Sequence, residues 1–340
     1  MSRANKWGPY DVVAAFFVSK SIRFLQQSSI LRKLAAGPTV HEIASEYGYD
    51  ETLLSVLLEF VHQTSDILIR LPSRDTRSRR FKLRAQYSQY VSLEFLLDKF
   101  LGAYGKPFDY LDLSLRSGRS GRRFTEPDVL AAALGRVGNN RYKRHITSLI
   151  RSLRVNRVLD LGCGAGHLLA DLSTAIPRFE GWGIDSNARM CRFATERLKR
   201  CSATAYVRIL HANIFSLKRL LTSEVRRRIE VIYAGSLLNS LFGGPRQTMV
   251  TLIAELKRLF PNRLLIVDDY YGKLGFVQKN PNRYLHSLVH DLVQAFSGQG
   301  VPAPSLQFWR SIYRDSRCQL VHCYEGETDG LNWFVHLVQL

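Results

Sequence analysis

A glycine-rich turn between two apolar runs is the part of this sequence best suited to bind a small ligand. Residues 157–167 read Arg-Val-Leu-Asp-Leu-Gly-Cys-Gly-Ala-Gly-His, and a second apolar run, 182–184, ends at Asp185. The pattern predicts a strand, a tight turn, a helix and a second strand that ends in a carboxylate. Glycine lets a ligand lie against bare backbone, and a carboxylate in that place can accept both hydroxyls of a ribose. We therefore expect this turn to bind a nucleoside.

The residues around the turn indicate which nucleoside it binds. A dinucleotide fingerprint has glycine or alanine three residues after its second glycine. Counted from Gly162 and Gly164, that position is His167, which is too large for close packing of helix on strand. Asp160 would repel a phosphate, whereas it could attract an amino group. S-adenosyl-L-methionine (SAM) carries an amino group and a sulfonium and has no phosphate, so the pattern favours SAM.

The same residues carry a family resemblance. Four of them resemble the first motif and the following acid of class I SAM-dependent methyltransferases, namely Asp160, Gly162, Gly164 and Asp185. The resemblance covers roughly residues 128–340, and two apolar segments at 319–324 and 331–340 suit the antiparallel hairpin that ends this fold. It implies an α/β class I methyltransferase fold, with a seven-stranded, mostly parallel sheet and helices on both faces.

The resemblance also implies which residues hold the cofactor, SAM, and its product S-adenosyl-L-homocysteine. The family commonly has an acid at the position of Asn213, whose amide oxygen can instead accept the adenine amino group. Cys163 lies inside the glycine turn, where a packing role is favoured over a nucleophilic one. The expected cofactor-binding residues are Asp160, Gly162, Cys163, Gly164, Asp185, Ser186, Asn213, Ile214 and Ser236.

The first hundred residues predict a different, mainly helical domain. Thr39 can cap a short helix, Asp50 can cap a longer one with an apolar face, and segments 67–71 and 79–83 predict a hairpin. This winged-helix arrangement resembles the N-terminal domain of small-molecule O-methyltransferases, which implies a homodimer and one wall of the substrate pocket. Helix 51–62 has no Lys or Arg, which groove recognition needs, so dimerisation is favoured over DNA binding.

These patterns predict three segments. Residues 1–113 form the helical, winged-helix dimerisation and lid domain, 114–127 a basic Gly/Ser/Arg linker, and 128–340 the SAM-binding domain.

Five cysteines without a C-x-x-C pair predict reduced thiols and no metal site. The longest apolar stretch, Val12–Val18, is too short to span a bilayer, and its flanks argue against a signal peptide. We therefore expect a cytoplasmic protein without a membrane segment.

The charge of the chain leaves two explanations open. The 340 residues carry a net charge of +19, and 46% of them are hydrophobic, which allows a sizeable core. The excess of Lys and Arg is explained either by solvated helix faces or by an acidic partner. Such a partner is a nucleic acid, a carrier domain or a peptide leader.

The resemblance implies transfer of the SAM methyl group to a nucleophile. This reaction needs little from the protein beyond alignment of nucleophile, methyl group and sulfur. A base is needed only where the nucleophile arrives protonated. In winged-helix O-methyltransferases, which this chain resembles, a histidine after the fourth strand is that base. The matching residue here is Asn239, which cannot take up a proton. Either another residue is the base or the reaction needs none.

Candidate bases lie elsewhere in the chain. His286 and His290 share one face of a predicted helix, 282–296, and Asp268 and Asp269 follow the fifth strand. Tyr104 is a further candidate for the substrate pocket. The catalytic candidates are thus Asn239, His290 and Tyr104. Because the family histidine is missing, we favour a carboxylate or amine acceptor over a phenol, on a natural-product small molecule or a peptide- or carrier-bound substrate.

Two other functions remain as alternatives. A nucleic-acid (RNA) methyltransferase would explain the positive charge. However, the Asp/Asn-Pro-Pro-aromatic segment of exocyclic-amine enzymes is missing after the fourth strand, where residues 234–237 read Ala-Gly-Ser-Leu. The second alternative is a non-catalytic SAM-binding winged-helix regulator, against which the intact Asp160, glycines and Asp185 argue.

Overall fold

The structure is a computed structural model that describes residues 8–72, 79–88, 96–117, 126–136, 141–275, 284–328 and 330–340. Two compact units divide the chain, Met1–Leu97 and Asp98–Leu340. The boundaries expected at 113 and 128 stay predictions, and residues 118–125 of the expected linker lie outside the described residues. Among the helices that the structure describes, none combines the length and apolar character that crossing a bilayer requires.

The first unit is helical and carries one hairpin. A capping box begins its third helix, because the Thr39 side chain accepts the Glu42 N–H at 3.1 Å and the Thr39 N–H reaches the Glu42 carboxylate at 2.7 Å. Its core contains Leu25, Leu58 and Phe81, all fully buried. The elements are α1 Pro9–Gln27, α2 Ile30–Lys33, α3 Val40–Tyr47, α4 Glu51–Thr64, β1 Leu68–Leu71, β2 Arg80–Leu83 and α5 Ala85–Ser88. The predicted helices and hairpin are therefore present.

The second unit begins with helices and continues as alternating strands and helices. Its helices are a π-helix at Leu97–Ala103, α6 Lys106–Asp109, α7 Leu111–Ser117, α8 Pro127–Arg136, α9 Arg141–Ser152, α10 His167–Ala175, α11 Ala188–Arg200, α12 Leu217–Leu220, α13 Ser223–Arg228, α14 Arg246–Leu259, α15 Leu285–Phe296 and α16 Leu306–Asp315. Two 3₁₀ turns lie at Ile214–Ser216 and Leu238–Leu241. Its strands are β3 Arg157–Leu161, β4 Glu180–Asp185, β5 Val207–His211, β6 Val231–Gly235, β7 Leu264–Tyr270, β8 Gln319–Thr328 and β9 Leu331–Gln339.

Seven of these strands form one sheet in the order β5-β4-β3-β6-β7-β9-β8. The first five strands of this order run parallel, and β9 pairs antiparallel with both β7 and β8. Four of the five residues of the central strand β3 are buried, because helices cover both faces of the sheet, as is usual for parallel sheets. The predicted seven-stranded, mostly parallel sheet with a terminal antiparallel hairpin is confirmed.

One predicted helix differs in its bounds. The helix expected from residue 282 begins at Leu285, and residues 276–283 are not described.

Gly166 controls how closely α10 packs on α11. It has φ +71°, and a Cβ there would lie 2.8 Å from the Ala194 Cβ. We expect Gly166→Ala to lower the free energy of unfolding by about 1–2 kcal/mol through the left-handed backbone, and by a further ~1–3 kcal/mol through overpacking. Gly275→Ala is the matched control, since it has φ +88° and nothing within 4 Å of the added Cβ. Equal losses in urea unfolding of the two variants would contradict this packing role.

Candidate functional site

A cavity of about 430 Å³ lies at the carboxyl ends of the parallel strands, where ligands bind in open α/β sheets. Its volume is in the range of small-molecule sites. The lining comes from the ends of four strands, from the π-helix and from the segment after α15. The lining residues are Ala103, Tyr104, Glu126, Leu130, Gly162, Asp185, Ser186, Asn213, Ile214, Phe215, Leu237, Ser240, Leu241, Ser297, Gly298 and Gln299.

The glycine turn after β3 forms one wall of this cavity. Gly162 and Gly164 have φ of +67° and +53°, which favours glycine at both positions. A Cβ on Gly162 would lie 2.9 Å from the Leu237 Cδ1, whereas a Cβ on Gly164 would meet nothing within 4 Å. Gly162 therefore permits close packing of the turn on the segment after β6, and open space lies beside Gly164.

Asp185 holds the glycine turn and the start of α11 together. Its carboxylate accepts the Gly164 N–H at 2.9 Å and the Asn187 N–H at 2.8 Å, one on each oxygen. Each oxygen of a carboxylate has a second lone pair, and Asp185 lines the cavity. The two oxygens are thus oriented by the backbone and retain the capacity to accept two hydroxyl donors, as the ribose of a nucleoside requires.

The charges of the lining residues fit SAM better than a phosphate-bearing nucleotide. The described lining residues include the carboxylates of Asp185 and Glu126 and no Lys or Arg, and Glu126 pairs with Lys106. A diphosphate would therefore lack a cationic side chain in this wall, whereas a cationic ligand would meet Asp185. Asp160 lies in β3 and is 2% exposed, behind the lining residues.

The other expected cofactor residues divide into two groups. Ser186, Asn213 and Ile214 line the cavity together with Asp185. The Asn213 amide oxygen already accepts the Phe215 N–H at 3.0 Å, so an adenine amino group would share that oxygen. Ser236 is exposed, with φ +51°, and is not among the described lining residues.

Cys163 is buried in the glycine turn. Burial, followed by the negative charges of Asp160 and Asp185, raises the pKa of its thiol far above the ordinary value. The thiol is therefore protonated at neutral pH and is a poor nucleophile. This agrees with the packing role expected for Cys163.

Asn239 is held in the interior by hydrogen bonds to neighbouring elements. It is 2% exposed, its N–H donates to the Asp269 carboxylate at 3.0 Å, and its Nδ2 donates to the Tyr270 carbonyl at 2.8 Å. Its side-chain oxygen has no hydrogen-bond partner among the described residues. The bonds show that Asn239 ties the turn after β6 to the end of β7, and its catalytic role stays a prediction.

The two carboxylates expected after the fifth strand, Asp268 and Asp269, instead lie inside β7, where they are buried and hydrogen-bonded. Asp268 accepts the Tyr233 hydroxyl at 2.6 Å. Asp269 is 1% exposed, and its burial raises the pKa of its carboxyl well above the usual value. Both side chains therefore connect the ends of β6 and β7 within the sheet.

Tyr104 and His290 both belong to the second unit. Tyr104 lines the cavity, and burial raises the pKa of its phenol, with a hydrogen bond to Gln299 acting in the opposite direction. Nδ1 of His290 lies 2.6 Å from the Tyr270 hydroxyl, and the rings of His286 and His290 are 6.5 Å apart. Within the described chain, no group of three His, Cys, Asp or Glu could hold a metal ion.

Several lining residues had no signal in the sequence. Glu126, Phe215, Leu241 and Gln299 come from turns and helix ends in distant parts of the chain. Periodicity assigns faces of helices and strands, but it does not say which residues of a turn point into a cavity.

Comparisons with known proteins agree with this geometry. Residues 158–259 match the family described as "Methyltransferase domain". A comparison with curated proteins found no match. Among solved structures, the mitomycin 7-O-methyltransferase MmcR is similar at 15% identity, with 97% of this chain and 96% of that chain covered and a TM-score of 0.73.

Two further structures are similar over almost their whole length. Human N-acetylserotonin methyltransferase in complex with SAM has 13% identity, coverage of 100% of this chain and 99% of that chain, and a TM-score of 0.72. RosA, the N,N-8-amino-8-demethyl-D-riboflavin dimethyltransferase from Streptomyces davawensis, has 17% identity, coverage of 100% and 99%, and a TM-score of 0.63. At such identities the structures establish the fold alone, which is that of class I methyltransferases with an additional N-terminal domain. Together with the domain match over residues 158–259, they confirm the predicted class I methyltransferase fold.

We expect Asp185→Asn to weaken SAM binding strongly. An amide offers only one acceptor oxygen, so the variant would lose either the bond to the turn or a bond to the ligand. The loss is about 1.5–3 kcal/mol, or roughly 10- to 150-fold in Kd, measured by titration calorimetry with SAM and S-adenosyl-L-homocysteine. Glu224→Gln, an exposed acid outside the lining residues, is the control and should bind normally. Normal affinity of Asp185→Asn would rule out the assigned role.

Proposed function

We propose that this protein transfers a methyl group from SAM to an oxygen or nitrogen atom of a natural-product small molecule. The observation that carries the proposal is the Asp185 carboxylate, held by two backbone N–H groups at the edge of the cavity. The methyltransferase domain match over the same segment supports it, as do the similar structures of MmcR and RosA, whose names describe methylation of small molecules.

In this proposal, the lining residues bind and orient the two reactants. If SAM binds here, Asp185 would accept the ribose hydroxyls, Asn213 and Ile214 would hold the adenine, and the turn at Gly162 would bind the amino-acid end. Bound SAM supplies an electrophilic methyl group on a sulfonium. Apolar side chains such as Leu237 and Leu241 exclude water from the path between nucleophile and methyl carbon, which favours alignment.

The acceptor class proposed from the sequence is a carboxylate or an amine in preference to a phenol. Asn239 cannot act as the base at the position where related enzymes carry histidine. RosA, whose name describes dimethylation of an amine, is consistent with an amine acceptor. An acidic peptide or carrier domain that presents the acceptor is supported by basic side chains that are exposed in the second unit, namely Arg192, Lys199, Arg200, Arg208, Lys218 and Arg227.

The first unit is proposed to be a winged-helix dimerisation domain. Its α1 exposes four apolar side chains at 51% to 58% of their surface, namely Val12, Val13, Phe16 and Phe17. Contiguous exposed apolar surface marks an interaction site, and we assign it to a second copy of this chain.

The five described cysteines are free, which is consistent with a reducing cytoplasm.

The activity is tested by incubating the protein with SAM and panels of hydroxyl, amine and carboxylate natural products. Mass spectrometry should show a methyl increment on one class of acceptor, together with S-adenosyl-L-homocysteine. Asp185→Asn is the control for contaminating activity. Failure of wild-type protein to bind SAM would refute the proposal. SAM binding without transfer would favour the non-catalytic regulator, and a tight RNA complex at physiological salt would favour the nucleic-acid enzyme.

The proposed dimer makes a separate prediction. We expect the double variant Phe16→Glu, Phe17→Glu to be monomeric, because charges on the apolar face of α1 would have to be buried without partners. Val321→Glu, which places one glutamate on a 57% exposed site in β8, should leave the dimer intact. Sedimentation equilibrium measures the mass of each, and an unchanged mass of the double variant would contradict the assignment.

A further inference from the structure

A chain of hydrogen bonds in the second unit runs from the turn after β6 to His290. Gln294 Nε2 donates to the Asn239 backbone carbonyl at 2.8 Å. Because that carbonyl can only accept, the orientation of the Gln294 amide is fixed and its Oε1 faces the other way. The Tyr270 hydroxyl donates to this Oε1, and the same hydroxyl oxygen lies 2.6 Å from His290 Nδ1.

This chain determines which nitrogen of His290 carries the proton. A tyrosine hydroxyl has one hydrogen, and the Tyr270 hydrogen is already directed at the Gln294 carbonyl oxygen. The short contact between Tyr270 and His290 therefore requires a hydrogen on Nδ1. In a neutral imidazole the other nitrogen is then an acceptor. His290 is held as the Nδ1–H tautomer, with the Nε2 lone pair pointing away from Tyr270.

The surroundings keep His290 neutral. Burial, then the positive charge of Lys99 and the neighbouring His286, hold the pKa of His290 well below its ordinary value. Burial also lowers the pKa of Lys99, to about 8. The Phe100 ring contacts His290 edge-on, with centroids 6.0 Å apart. Although packed by these groups, His290 is only half-buried, so a ligand can reach it.

His290 lies within reach of the cofactor cavity. The π-helix that carries Phe100 continues to Ala103 and Tyr104, which line the cavity. Phe100, whose ring contacts His290, packs in one apolar cluster with Ala103 and Tyr104. His290 therefore borders this part of the cavity wall. Proton transfer requires an acceptor whose reacting atom lies between the wall and Nε2, within hydrogen-bond reach of that nitrogen.

We propose that His290 Nε2 takes the proton from the methyl acceptor, and that Tyr270 and Gln294 are positioning residues that hold His290 in the required tautomer. This inference rests on the proposed methyltransferase function. The lone pair of the acceptor oxygen or nitrogen forms the bond to the methyl carbon. The carbon–sulfur bond breaks with its electron pair passing to sulfur, and the acceptor's proton moves to Nε2, which gives an imidazolium.

The assignment narrows the class of acceptor. A carboxylate has no proton to lose and gains nothing from a base. A hydroxyl or an amine does lose a proton during methyl transfer. The base therefore comes from α15 in place of the turn after β6, where Asn239 stands. Of the two acceptor classes proposed above, this base selects the amine over the carboxylate, and it removes the reason for disfavouring a hydroxyl, which was the lack of a base at Asn239.

The tautomer is measured directly by ¹⁵N NMR of histidine-labelled protein at pH 7, without cofactor. The chain has nine histidines, so loss of a signal in His290→Gln assigns His290. We expect a protonated Nδ1 and an unprotonated Nε2 in the wild type, and a shift towards Nε2–H in Tyr270→Phe. Tyr271→Phe is the matched control, because the Tyr271 hydroxyl bonds Glu325 at 2.6 Å and His336 at 3.2 Å; it should leave His290 unchanged.

Activity provides the second measurement. With an acceptor identified by the panels above, His290→Gln should lower kcat by roughly 10²- to 10⁴-fold, the usual contribution of a general base, with unchanged Kd for SAM. An Nε2–H tautomer or an imidazolium in the wild type, an unchanged tautomer in Tyr270→Phe, or full kcat in His290→Gln would each overturn the inference. Failure of this inference can be told apart from failure of the proposed function. The tautomer is measured without cofactor, whereas the proposed function fails if the wild-type protein does not bind SAM.

Discussion

The two backbone hydrogen bonds accepted by Asp185 are the interaction on which the cofactor site depends. One bond holds the turn after β3 and the other holds the start of α11, so a single carboxylate fixes the walls contributed by two adjacent strands. The carboxylate is itself fixed because parallel strands bring their carboxyl ends to one edge of the sheet. A flexible carboxylate would lose more conformational freedom on binding, whereas this one is already oriented.

A second polar network lies in the same unit and, unlike the bonds of Asp185, joins groups that are buried. Asp269, Asn239, Gln294 and Tyr270 connect the ends of β6 and β7 with α15 through bonds between buried groups. Buried polar groups destabilise a protein unless they are hydrogen-bonded, so such a network fixes side-chain orientation strongly. The position that carries a histidine in related enzymes thus has a structural amide here, and a histidine stands at the far end of the network.

The two units differ in what their cores and surfaces contain. The second contains the sheet, the cavity and both polar networks, and its core is apolar on both faces of the sheet. The first has its own core of helices and a hairpin and exposes apolar side chains along α1. The proposed binding of the methyl donor thus depends on the second unit, and the proposed association with another chain depends on the first.

The sequence alone predicted the class I methyltransferase fold and SAM as the cofactor. Apolar runs ending in glycine or acid predicted β3, β4 and the turn, because strand burial and positive φ restrict which residues are allowed. Asp185 followed from this pattern, whereas Ser186, Asn213 and Ile214 followed from the resemblance to class I methyltransferases, and all four line the cavity. Ser236 was carried over from the same resemblance, and the structure places it at the exposed surface.

The surroundings of His290 and Asn239 follow from the packing of distant elements. Their partners Tyr270 and Gln294 lie on β7 and α15, and contacts between elements leave no periodic trace along the chain. The protonated nitrogen of His290 follows from a carbonyl more than fifty residues away, through bonds that exist only when the helix packs on the sheet. Local patterning reports which face of an element is buried, whereas the direction of a hydrogen bond is set by the group that folding places opposite it.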